Sequence, residues 1–127
     1  MSTPGGSREK PAGGLELAAW IFMRLSGVAL LLLALGHLFI MHVFNSVHGI
    51  DYNFVSARYL NLFWRGYDLA MLWLAVIHGL NGLRTLAGDY ARPPLRGWII
   101  RGIVVTGIFF LILGTWVIIA FDPMRGM

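Results

Sequence analysis

The chain contains no cysteine. That excludes disulfides, thiolate nucleophiles and Cys-held zinc or iron–sulfur sites within it, so a metal bound here would need His, Met or carboxylate ligands. Charge is the second shortage. Charged residues make up 13% of the 127 residues, about half the ~25% usual in soluble domains. Lysine is almost missing: Lys10 stands alone among ten basic residues. The basic residues are scattered singly, without the dense patch that follows a phosphate backbone, so no nucleic-acid partner is expected despite a net charge of +4. The first 18 residues, with Ser7-Arg8-Glu9-Lys10-Pro11, read as a flexible polar segment without the apolar run of a secretory signal.

Apolar residues fill the rest. They form 57% of the chain, and the mean hydropathy is +0.71. A small water-soluble core cannot hide that much apolar surface, so lipid is the matching solvent. Three runs stand out, at about residues 19–44, 62–87 and 98–121. Each exceeds the ~20 residues that cross ~30 Å of hydrocarbon as a helix. The polar stretch 45–53 reads as a loop, Pro93-Pro94 cannot continue the second helix, and Asp122-Pro123 stops the third. Trp20, Trp64, Trp98 and Trp116 lie near run ends, as interfacial rings do. The expectation is an all-α membrane protein: a tail over 1–18 and one three-helix domain over 19–127.

Basic residues set the orientation. Arg8, Lys10 and Arg24 flank the first helix, and Arg84, Arg92, Arg96 and Arg101 flank the turn between the second and third. Arg58, Arg65 and Arg125 lie on the other side, diluted by Asp51, Asp68 and Asp122. The N-terminus is expected in the cytoplasm, with the protein in the inner (plasma) membrane.

Ionisable residues inside a span are costly and usually have a partner. His37 and His78 lie deepest. Each is either helix-to-helix glue or a ligand. A glycine beside each, Gly36 and Gly79, favours a flat macrocycle, and neutral imidazole is a common axial ligand of haem iron. Counted from Trp20, His37 lies ~25 Å in, and counted from Gly88, His78 lies ~15 Å from the same side, about 10 Å apart in depth. Two axial ligands of one iron face each other across ~4 Å, from bonds of ~2 Å each. That leaves two haems, each completed by another chain, or one haem and one structural histidine. Ser26 and His37 are eleven residues apart, as are His78 and Asp89. Eleven helical residues return to within ~20° of one face, so each histidine shares a stripe with polar groups expected at the cytoplasmic edge. His42 faces ~140° away from His37, and His48 lies in the loop.

The segment His78-Gly79-Leu80-Asn81-Gly82-Leu83-Arg84-Thr85-Leu86-Ala87-Gly88-Asp89-Tyr90 resembles the second helix of the D-type membrane anchor of succinate dehydrogenase. There the pattern is a haem-ligating His, a Gly four residues on, and an Asp-Tyr pair eleven and twelve residues on. Ser26-Gly27 followed by Gly36-His37 is similar to a first helix of di-haem quinol:fumarate reductase anchors. The likeness covers most of residues 20–121 but rests on about ten positions.

The resemblance implies half of a heteromeric six-helix bundle, completed by a C-type membrane anchor subunit. An iron–sulfur subunit and a flavoprotein subunit would dock on the cytoplasmic face. The chain would not itself be catalytic. It would hold haem b, one or two, shared with the partner anchor, and contribute to a quinone site. His78 would be one axial ligand and His37 a second, which points to the di-haem class and menaquinone. Tyr90 would donate to a quinone carbonyl, with Asp89 and Ser26 in the same site. Arg24 and Arg84 would reach haem propionates, where Arg bonds carboxylates strongly; for each the competing reading is snorkelling to lipid phosphate. The alternatives are a haem b subunit of another membrane redox complex, such as a hydrogenase, or a haem-free structural or assembly protein.

Overall fold

The computed structural model describes residues 13–125. The part of the expected N-terminal tail that falls on residues 1–12 lies outside the described residues. Three helices are long and apolar enough to cross a membrane: Leu15–Phe44, Leu62–Tyr90 and Leu95–Ala120. The three-span, all-α reading therefore holds.

The first span is α1 (Leu15–Leu38), continued without a break by a π-helical turn, Phe39–Phe44. It begins at Leu15, four residues before the expected start. Gly14, at φ 98°, provides the left-handed entry, a conformation that glycine takes at little cost. In the π turn the i→i+5 ladder brings Phe39 and Phe44 onto one side, with ring centroids 5.2 Å apart. The Asn45 amide donates to the Ile40 carbonyl at 2.8 Å and helps close this end. Because a π turn advances less per residue than an α turn, the 140° offset of His42 from His37 does not carry over.

The expected loop contains a short helix, α2 (Tyr52–Tyr59). Asp51 caps it by accepting from the Phe54 N–H at 2.9 Å. Eight residues are too few to show a helical period, and an isolated helix of that length is unstable. α3 (Leu62–Tyr90) is capped by Asn61 and runs three residues past the expected end. α4 (Leu95–Ala120) starts directly after Pro93-Pro94.

α3 is the centre. It packs on α4 and on α1. The α1 side of α3 carries Tyr67, His78 and Gly82, and the α4 side carries Leu72 and Leu80. Two positions turn a helix by ~200°, so His78 and Leu80 face opposite neighbours. The three spans thus form a flat layer, not a closed bundle. Among the described residues Ala87 is the buried apolar side chain, and large apolar residues lie exposed on both broad faces.

Where α3 meets α4, glycines accept leucine knobs. A Cβ at Gly107 would fall 2.8 Å from Leu80 Cγ, and one at Gly114 would fall 2.6 Å from Leu72 Cδ2. Small residues let membrane helices approach this closely, and Trp73 Nε1 donates to Thr115 Oγ1 at 3.0 Å across the same seam. Gly107→Leu is expected to destabilise the pair by about 1–3 kcal/mol through overpacking. Thermal melting should show the loss, and Leu80→Ala in the same chain should recover most of it.

Candidate functional site

One contact between α1 and α3 is built around His78. Its Nδ1 lies 2.8 Å from the Ser26 hydroxyl. Ser26 is 3% exposed, and its hydroxyl also lies 3.4 Å from the Met23 carbonyl, to which it can donate. Gly27 makes room, since a Cβ there would sit 3.3 Å from His78 Cε1. One turn along α3, a Cβ at Gly82 would sit 4.0 Å from Met23 Cε. Nε2 of His78 makes no hydrogen bond among the described residues, and Gly79 has open space beside it.

These pairs fix the antiparallel register. Ser26 and Gly27 are level with His78, and Leu33 and Gly36 are level with Tyr67, whose hydroxyl donates to the Leu33 carbonyl. His37 is therefore level with Tyr67, eleven residues from His78 on α3. That is ~16 Å of depth, more than the 10 Å expected. The earlier figure was counted from helix ends that the structure moves outward. The same shift puts Ser26 beside His78 and not at the membrane edge.

The glycine readings change too. Gly36 was expected to give a macrocycle access to His37. Its open face is taken by Tyr67, whose hydroxyl oxygen would lie 2.9 Å from a Cβ. His37 itself is half-buried and makes no side-chain hydrogen bond among the described residues.

Asp89 and Tyr90 both lie in the last turn of α3, on different sides. Asp89 lines a polar cleft of about 520 Å³ with Arg84, Thr85, Gly88 and Arg96. The Arg96 guanidinium lies over bare Gly88. Tyr90 is 86% exposed and borders an apolar groove of about 380 Å³ formed with Leu83, Leu86 and Leu95. Arg24 stacks on Trp20, 4.0 Å from the ring centroid. The structure therefore joins Ser26 to His78, places Arg84 and Asp89 around one cleft without a bond between them, and separates Tyr90 from Asp89. His42 and His48 are exposed.

Sequence reasoning missed the opposite end. Arg58, only 8% exposed, donates to Asp68 at 2.9 Å. Tyr59 donates to the other Asp68 oxygen at 3.0 Å. The Arg58 guanidinium also covers Trp64 at 4.5 Å and reaches Met41 Sδ at 3.4 Å. Arg65 donates to the Tyr59, Ile119 and Phe121 carbonyls. This network ties α2 to α3 and to the end of α4. Asp68, a carboxylate seven residues into an apolar span, was the available signal, because such a charge needs a partner.

No three His, Asp or Glu side chains gather into a metal site among the described residues. What the histidines offer is single imidazoles on separate levels. Fold and site together define a three-span membrane protein with one imidazole held between two of its helices. A profile of the succinate dehydrogenase/fumarate reductase transmembrane subunit matches residues 9–115. The chain belongs to that family, as a membrane anchor subunit. No curated protein matches it.

Proposed function

We propose that this chain is a D-type haem b- and quinone-binding anchor of a succinate:quinone oxidoreductase. The observation that carries the reading is His78: a half-buried imidazole, fixed at Nδ1 inside the span of a chain of this family, with Nε2 unengaged among the described residues. Its surroundings suit a haem. Gly27 lets the ring seat against α1, Gly79 next to it in α3 leaves open helix surface, and large apolar side chains are exposed along the spans. His78 would be an axial ligand, and His37 would ligate a second haem on the other level. Bound haem supplies one-electron transfer. The chain's residues hold the ligand ring, exclude water around it, and set the membrane edge where quinone is met. Tyr90, exposed beside an apolar groove, would donate its hydroxyl proton to a quinone carbonyl. Asp89 would act from the neighbouring polar cleft, where Arg84 and Arg96 suit propionate or phosphate oxygens. The presence of His37 supports menaquinone and the di-haem class.

The flat layer supports a heteromeric bundle, because a C-type anchor would cover one of its apolar faces. An iron–sulfur subunit and a flavoprotein, where succinate is oxidised, would dock at the end bearing Arg84, Arg92 and Arg96. That end carries most of the exposed basic residues, whereas at the other Arg58 is buried in an ion pair and Arg65 is bound to carbonyls. This supports a cytoplasmic N-terminus.

A second reading has an observation in its favour. The Ser26–His78 bond is what helix glue in a haem-free structural subunit looks like. Purification through a tag on this chain separates the two. The anchor reading expects a reduced-minus-oxidised b-type α band, co-purifying flavin and iron–sulfur protein, and succinate:quinone activity. No α band would leave the structural reading. A b-type spectrum without flavoprotein or succinate activity would point to another redox complex.

A further inference from the structure

We propose that Ser26 is a positioning residue that fixes the tautomer and the orientation of His78, so that Nε2 is the nitrogen presented to iron. The inference rests on the haem-binding reading above. A neutral imidazole has one N–H and one lone pair, and only the unprotonated nitrogen can ligate. If Ser26 donated to Nδ1, the ring proton would sit on Nε2 and block it. The second contact of Ser26 favours the other arrangement. The Met23 carbonyl can only accept, and it lies 3.4 Å from the hydroxyl. With the hydroxyl proton turned toward Met23, the Ser26 oxygen is left to accept from Nδ1–H at 2.8 Å. Nε2 then carries the lone pair, and it has no competing hydrogen bond among the described residues.

Position reinforces chemistry. Ser26 is 3% exposed, so water does not readily replace it as acceptor. Gly27 lets the ring lie against α1, 3.3 Å from where a Cβ would be, which restricts its rotation. Ligating histidines generally donate their second N–H to an acceptor that fixes the ring and raises its basicity, and loss of such a partner weakens metal binding 10–100-fold. Here the acceptor is a neutral hydroxyl from a different helix. The α1–α3 register thereby becomes part of the ligand geometry.

The test uses the whole complex carrying Ser26→Ala, Ser26→Thr or His78→Ala. Haem per complex is measured by pyridine haemochrome, and midpoint potential by redox titration of the α band. Ser26→Ala removes the acceptor with little change in volume. It should make the His78 haem about 10–100-fold more weakly held and move its potential upward, because a less basic imidazole favours ferrous iron. Ser26→Thr keeps an oxygen and should restore both. Unchanged haem retention and potential in Ser26→Ala, or lower thermal stability with an unchanged potential, overturns the proposal. If Ser26→Ala does not assemble, Ser26→Cys, a poor acceptor of similar size, is judged by the same criteria. His78→Ala tests the foundation separately: full haem content in that variant would sink the ligand reading itself.

Discussion

Asp68→Ala is expected to cost this protein about 3–5 kcal/mol, the penalty for leaving one member of a buried ion pair unpaired. In the detergent-solubilised protein that is a fall of at least ~10 °C in the melting midpoint. The side chains of Arg58 and Asp68 are only 6% and 14% exposed. Arg58 Nε is already buried without a partner among the described residues, so loss of the carboxylate would leave the guanidinium in poor surroundings. Tyr59 would lose its acceptor in the same step. Removing both charges at once should hurt less: Arg58→Met with Asp68→Leu is expected to melt above Asp68→Ala alone. A double variant that melts lower would show that the pair is net stabilising.

The network also has a pH signature. Burial first, and then the charge and hydrogen bond of Asp68, push the Tyr59 phenol up to about 12, against the pull of Arg58 and Arg65. A raised pKa means that the folded state keeps a proton the unfolded chain has given up. The contribution is therefore complete below pH ~10 and is lost as pH climbs from ~10 toward 12. Asp68→Ala removes two of the raising causes, so Tyr59 should ionise at lower pH. Phenolate absorbance, taken as a difference against Tyr59→Phe, reports it.

What the sequence revealed and what it hid follow from the same physics. Lipid forces backbone hydrogen bonds into long helices, so three apolar runs were enough to locate three spans. The ends were misjudged because helices continue past the hydrocarbon. Gly13-Gly14 and Glu16 make the start of α1 look like tail, yet Leu15–Phe44 is one continuous element. α2 was invisible because it is held by Arg58 and Tyr59 reaching Asp68, ten and nine residues along the chain. No local period encodes that.

The site was legible residue by residue but not as an arrangement. Ser26, Gly27 and His78 could each be singled out. Periodicity within a helix says which residues share a face and nothing about the level at which two helices meet. The helical phase of the expected stripes holds, since α1 is regular to Leu38 and α3 to Tyr90, but Ser26 lies level with His78 and not at the membrane edge. Contact geometry was needed to show that Ser26 meets His78 and that Tyr67 takes the space at Gly36.

That register makes the histidine substitutions the sharpest test of the two-haem reading. His78→Ala is expected to remove one haem equivalent and to leave the other with its own potential. His37→Ala should do the converse. A shared iron would lose everything with either change, but ligands of one iron stand only ~4 Å apart, against ~16 Å of helix between these two levels. The histidines also differ in their protein partners. Helix glue could account for His78, because Ser26 is within bonding distance. For His37 no such bond is found among the described residues, and the hydroxyl level with it, that of Tyr67, donates to the Leu33 carbonyl. An imidazole inside a span usually has a partner; none is found for His37 among the described residues, and the two readings to be separated are an iron and a neighbouring subunit. Haem content decides between them. If it is unchanged in His37→Ala while the complex melts at lower temperature, His37 is an intersubunit contact and the anchor holds a single haem through His78.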